Sequence, residues 1–263
     1  LVAFFTNYLL VNTGENNWRW MLVVMAAPAT LLFFSLFFVP ESPRWLIGRN
    51  KEEIAYKILI KTTGEAEARE SLEKIKHTLK ITDEASYRDL MTPMIRPILW
   101  VGIILSVFQQ ITGINTIMYY APKIFAQIGQ SNNIALLQTV AIGGINLIFT
   151  ILAMLLIDKF GRRFLIIAGS IGMTLMLMGL SLLYFLNIAN SMLVLIFILG
   201  YIAFFAASLG PGLWVVVSEI FPNRLRSKGM SLSVMALWIA CTIVTIVFPV
   251  MLEALTGGLT FLI

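Results

Sequence analysis

The residues best suited to recognise a solute are Gln109, Gln110 and Asn115. They fall inside an otherwise apolar run, from Pro97 through Trp100 and Phe108 to Tyr119, Tyr120 and Pro122, that carries no charge until Lys123. A bilayer core about 30 Å thick needs roughly 20 residues of helix, and this run is long enough. Carboxamides near the middle of hydrocarbon are costly unless something polar meets them. An amide donates and accepts together, which suits a hydroxyl-rich solute better than an ion or a lipid.

Other apolar runs hold further candidates. Asn146 is a lone strong polar residue in the middle of its segment, and it either meets solute or makes an interhelical hydrogen bond. Gly210-Pro211-Gly212 weakens the backbone ladder and permits a bend, as part of a gate or as a packing kink. Trp214 follows directly, and an indole there can stack on the apolar face of a pyranose. Trp238 either faces the same space or is a core or lipid-facing residue. Met173, Met176 and Met178 read as packing.

Charges stand at the ends of these runs. Glu41 and Arg44 lie in Pro40-Glu-Ser-Pro-Arg-Trp-Leu46, Asp158, Arg162 and Arg163 in one short loop, and Glu219 and Arg226 flank another. Two readings are open. They set topology and stop helices, or they form a charge network that locks two helical bundles and opens during alternating access.

Composition determines what must position these side chains. Of the 263 residues, 59% are hydrophobic and 13% charged, with mean hydropathy +0.87. Soluble domains have about 45–50% apolar and about 25% charged residues, so this is an integral membrane protein. Between Glu41 and Arg96 lie 11 of the 19 basic and 10 of the 14 acidic residues, one polar island in a hydrophobic chain. The net charge of +5 therefore does not point to nucleic acid. The single Cys241 cannot form an internal disulfide, no Cys or His pair has metal-ligand spacing, and His77 reads as a solvated surface residue. No metal, cofactor or enzymatic chemistry is expected, since no His, Asp and Glu cluster lies within a span.

Spanning helices are expected over 18–39, 97–125, 134–157, 164–186, 192–221 and 230–252. A truncated helix is expected at 1–12 and another begins after Glu253. The chain opens and closes inside hydrophobic runs and is read as part of a longer transporter, lacking its beginning and part of its last helix. Trp18 and Trp20 sit where interfacial aromatics prefer to be. The island and the loops holding Arg162 and Arg224 carry nearly all basic residues. The alternate loops, 13–17, 127–133 and 187–191, are almost uncharged, with Glu15 the one charge. The basic loops are thus cytoplasmic. Within the island two amphipathic helices are expected, 51–62 with Ile54, Ile58 and Leu59 inward, and 67–79 with Leu72, Ile75 and Leu79. Gly64 separates them. Prolines 40 and 43 are expected to stop the preceding helix.

Four motifs, Pro-Glu-Ser-Pro-Arg-Trp-Leu, Gln-Gln-Ile-Thr-Gly-Ile-Asn-Thr-Ile-Met-Tyr-Tyr-Ala-Pro, Asp-Lys-Phe-Gly-Arg-Arg and Ser-Glu-Ile-Phe-Pro-Asn-Arg-Leu-Arg-Ser-Lys-Gly, occur in this order. Together they resemble the sugar porter family of the major facilitator superfamily, across essentially the whole chain, from near the fifth of twelve helices to early in the twelfth. The texture is similar to bacterial proton-coupled members that carry xylose, arabinose or myo-inositol. The resemblance implies that Gln109, Gln110, Asn115, Tyr119, Asn146, Trp214 and Trp238 contact sugar. It implies that Tyr119 and Tyr120 close an outward gate. It also implies that Glu41, Arg44, Asp158, Arg162, Arg163, Glu219 and Arg226 form the cytoplasmic charge network. Several family members place Gln or Asn directly before the eleventh-helix Trp, where this chain has Leu237, so one substrate hydrogen bond is missing.

The expected fold is an all-α major facilitator bundle in part. Residues 1–40 end the N-terminal half, 41–96 form a cytoplasmic linker, and 97–263 supply most of the C-terminal half. The implied function is secondary transport of a monosaccharide or cyclitol by alternating access, coupled to protons, in a bacterial cytoplasmic membrane, by a protein monomeric at full length. A non-transporting sugar sensor of the same fold is the alternative.

Overall fold

The computed structural model describes residues 2–14, 16–83, 86–127, 132–186, 188, 190–255 and 257–262. The expectations placed on Leu1, Glu15, Ile263 and the uncharged loop residues 128–131, 187 and 189 lie outside them. Among the described residues the secondary structure is wholly helical. The order is α1 (Val2–Leu10), α2 (Asn17–Leu36), α3 (Pro43–Gly48), α4 (Glu52–Thr63), α5 (Glu65–Asp83), a 3-10 turn (Tyr87–Met91) and α6 (Arg96–Ile111). Then follow α7 (Ile114–Gln127), α8 (Asn132–Phe160), α9 (Arg162–Phe185), α10 (Ser191–Ala207), α11 (Leu209–Ile220), α12 (Arg226–Ala254) and α13 (Gly257–Leu262).

Helices long and apolar enough to cross a membrane occupy the expected places, with two corrections. The run 97–125 is not one continuous helix but breaks between α6 and α7. Gly113 sits at φ +78°, a left-handed conformation that glycine reaches without a Cβ penalty. The carbonyl freed at the break does not go unpaired, because the Tyr201 hydroxyl of α10 donates to the Thr112 oxygen at 2.7 Å. In a bilayer such internal satisfaction is required. The run 192–221 breaks too, at Ser208, where φ and ψ are −135° and −89°. The bend therefore precedes Gly210-Pro211-Gly212, which forms the first turn of α11. There Pro211 lacks an amide hydrogen for the Ala207 carbonyl, so the ladder cannot run through.

Close packing of the spans rests on small residues. A Cβ at Gly172 would run into the Phe204 ring and one at Gly179 into the Phe197 ring, so α9 and α10 approach closely only with glycine there. The main core gathers Ile114, Ile117 and Phe125 of α7, Ile142 of α8, Leu180 of α9 and Ile198 and Ile202 of α10.

The island differs from expectation in two details. Pro43 does not merely end a helix, since it opens α3 at its first turn, where its missing amide hydrogen has no intrahelical use. Leu46, Ile47 and Ala55 then bury against Ile58, Leu72, Ile75 and Leu79. Leu59 is buried, but Ile54 is half exposed because it lies on the far side of α4. Lys76 of α5 reaches Glu52 of α4 at 2.6 Å. After α5 the 3-10 turn plugs Leu90, fully buried, between Leu99, Leu213, Phe221 and Leu225, and so fastens the island to the base of the bundle.

Candidate functional site

Two broken helices build the site. α6 ends at Ile111, one residue past Gln110, and α7 restarts at Ile114, one residue before Asn115, so three carboxamides share one level of the bundle. Asn115 Nδ2 donates to Gln110 Oε1 at 2.9 Å and to Cys241 Sγ of α12 at 3.2 Å. Gln109 Nε2 donates to the Leu209 carbonyl at 2.8 Å, just beyond the α10–α11 break. An amide thus ties α6 to the α10–α11 break, and the Tyr201 hydroxyl ties the α6–α7 break to the body of α10.

Gln109, Gln110, Asn115, Asn146, Trp214 and Trp238 all line one cavity of about 390 Å³. A pocket of this size suits a ligand of a few fused or single rings. Thr150 of α8 and Leu237 of α12 complete its sides, with Gly210 and Pro211 bringing backbone close. The amides form a buried rear wall, with Gln109 and Gln110 only 3% and 5% exposed, while Trp214 and Trp238 are 45% and 53% exposed at its open side. Carboxamides, which can donate to and accept from hydroxyls, and indoles, which offer apolar ring faces, therefore converge on one chamber.

Tyr119, Tyr120 and Gly212 are not brought to this cavity. Tyr119 is largely exposed and lines a separate groove with Asn7 of α1 and Thr139 of α8. Tyr120 lies against Phe248 of α12, ring centroids 5.8 Å apart. Adjacent residues on a helix point about 100° apart, and here the turn sends Tyr119 towards α1 and α8 and Tyr120 towards α12. Gly212 faces α9, where an added Cβ would meet Ile166 at 3.4 Å.

The charged cluster is smaller than expected. Arg162 opens α9 and bridges Asp158 of α8 at 3.2 Å and Glu219 of α11 at 3.0 Å. Among the described residues, Glu41, Arg44, Arg163 and Arg226 join no ion pair within 4.0 Å. Arg163 follows Arg162 on α9 and is exposed. In place of Arg226, Arg224 in the turn before α12 reaches Asp89 of the 3-10 turn at 3.4 Å.

Sequence reasoning missed Thr150, Tyr201 and the contact of Cys241 with Asn115. Tyr201 carried a signal, since a phenol deep in an apolar span needs a hydrogen-bond partner. A second cavity, of about 360 Å³, lies among Leu177, Met178, Ile243, Val247 and Phe248. Its walls are mostly aliphatic and ring carbon, poor at fixing hydroxyls.

A family profile described as "Sugar (and other) transporter" matches residues 1–263. The D-xylose-proton symporter of Escherichia coli (strain K12) is 40% identical over 257 residues, which cover 95% of this chain and 52% of that protein. The arabinose-proton symporter of Bacillus subtilis (strain 168) is 38% identical over 265 residues, covering 98% and 57%. A solved structure described as a partially occluded inward open conformation of the xylose transporter XylE from E. coli superposes with a TM-score of 0.84. It is 37% identical, over 99% of this chain and 56% of that one. The chain spans about half the length of the curated relatives it matches.

Proposed function

Because the chain belongs to the sugar transporter family of the major facilitator superfamily, an integral membrane family, we propose that the full-length protein carries a monosaccharide or cyclitol across the cell membrane by alternating access. The observation that carries this reading is the convergence of amides and indoles from α6, α7, α8, α11 and α12 on one cavity. Those side chains are scattered over about half of the chain, and a shared solute gives their meeting a use.

In this reading Gln109, Gln110, Asn115 and Asn146 hydrogen-bond hydroxyls, and Trp214 and Trp238 cover the carbon face of the ring. Tyr119 and Tyr120 belong to the walls between helices, and Tyr120 moves with α7 when the outer side closes. The broken helices supply flexible points near the solute, so rearrangement there is coupled to occupancy. Arg162 braces α8, α9 and α11 at the cytoplasmic end and releases when that end opens. Coupling to protons follows the two symporters to which the chain is similar. The test is uptake of labelled xylose, arabinose, glucose and myo-inositol by cells making the full-length protein, with and without a protonophore. Uptake of one of them, abolished by the protonophore, is expected. Uptake of none would overturn the reading.

A further inference from the structure

We propose that the cavity reads its solute by the direction of each hydrogen bond: the hydroxyls facing the oxygens of Gln109 and Asn115 donate, and the one facing the Gln110 nitrogen accepts. The proposal rests on the carrier reading and deepens it. An amide has one donating end and one accepting end, so turning one end to a protein partner decides which end is presented to the solute.

The Leu209 carbonyl can only accept, so the Gln109 atom beside it is the nitrogen, at 2.8 Å. Gln109 therefore turns its oxygen towards the cavity it lines. Asn115 Nδ2 spends one hydrogen on Gln110 Oε1 at 2.9 Å and the other on Cys241 Sγ at 3.2 Å. That leaves Asn115 Oδ1 as its free end. The same bond turns Gln110 Oε1 towards Asn115, using one of its two lone pairs, and leaves Gln110 Nε2 as the free donor. Among the described residues, Gln109 Oε1, Gln110 Nε2 and Asn115 Oδ1 make no hydrogen bond within the protein. Asn146 keeps both ends uncommitted and imposes no direction.

Two consequences follow. Cys241 is a positioning residue, since it holds the second Asn115 hydrogen away from the solute. The site also resists an inverted pattern at low cost, because turning Gln109 over would set its oxygen against the Leu209 oxygen. Leaving a buried polar group without its partner costs more than the bond is worth, which is how such sites discriminate.

The experiment uses the full-length protein in proteoliposomes and the sugar it transports best. Competition is measured for the parent, each monodeoxy analogue and each monodeoxyfluoro analogue. Fluorine accepts weakly and cannot donate. At two ring positions the deoxy and deoxyfluoro analogues should be equally poor, each roughly ten- to a hundredfold weaker than the parent. At one further position fluorine should recover part of what the deoxy analogue loses. In Gln109→Leu, one of the two donor-reading positions should lose its penalty, so that parent, deoxy and fluoro forms compete alike there. Fluoro analogues that match the parent at every position would overturn the proposal while leaving the carrier reading intact. Failure of every unmodified sugar to be transported would overturn both.

Discussion

At the scale of single residues, the four amides have unequal duties. Gln110 makes its one protein bond to a neighbour in the site, whereas Gln109 also ties α6 to the turn that starts α11. Gln110→Ala should therefore weaken solute binding by about 1–3 kcal/mol with little change in melting temperature. Gln109→Ala should lower both affinity and melting temperature, since it leaves the Leu209 carbonyl with one fewer donor in a buried place. Competition binding and thermal unfolding of the full-length protein in detergent check the pair, and equal melting losses would contradict the division. The identities of the polar residues were readable because a carboxamide in hydrocarbon has no reason to be there without a partner. Which end of each amide faces the cavity was not readable, since that depends on carbonyls and a thiol from α11 and α12, about a hundred residues away. Tyr119 shows the limit of motif reading, because two neighbouring tyrosines look alike in sequence and diverge once wound on a helix.

At the scale of elements, the breaks matter more than the spans. Span lengths follow from bilayer thickness, and loop charge follows from topology, so both could be read along the chain. The α6–α7 break was hidden because Ile111 and Ile114 keep the run apolar on both sides of Gly113. Its stability depends on a residue from α10. Tyr201→Phe leaves the Thr112 carbonyl without the phenol and should destabilise the protein by about 1–3 kcal/mol. Gly113→Ala forces an L side chain into the left-handed region and should cost about 1–2 kcal/mol, with Gly113→Asn milder. Thermal unfolding of the full-length protein measures all three variants. An unchanged melting temperature in Gly113→Ala would mean that the break does not need its positive φ.

At the scale of the whole molecule, the end of the bundle that carries the charged loops is held, among the described residues, by few ion pairs, and they are unevenly shared. The sequence suggested seven charged residues acting together. Three of them meet through Arg162, and a separate pair, Arg224 with Asp89, fastens the base of α12 to the end of the island. Side chains of like charge next to each other could not be sorted without knowing which way each helix is turned. The consequence is a sharp asymmetry between neighbours. Arg162→Ala removes the only bridge among the described residues between α9 and Glu219 of α11, and should shift the full-length carrier towards its inward-open state. Arg163→Ala should leave the balance where it is. Both partners of Arg162 are at least half exposed, so the bond is partly screened and each such pair contributes little, of the order of 0.2–1 kcal/mol. The population should therefore move by roughly two- to fivefold, not from one extreme to the other. A reporter cysteine placed on the cytoplasmic side of the cavity should label faster in Arg162→Ala by that factor, and the difference should shrink as salt rises. Equal labelling in Arg162→Ala and Arg163→Ala would show that the brace acts elsewhere, and the Asp89–Arg224 pair would be the next to break.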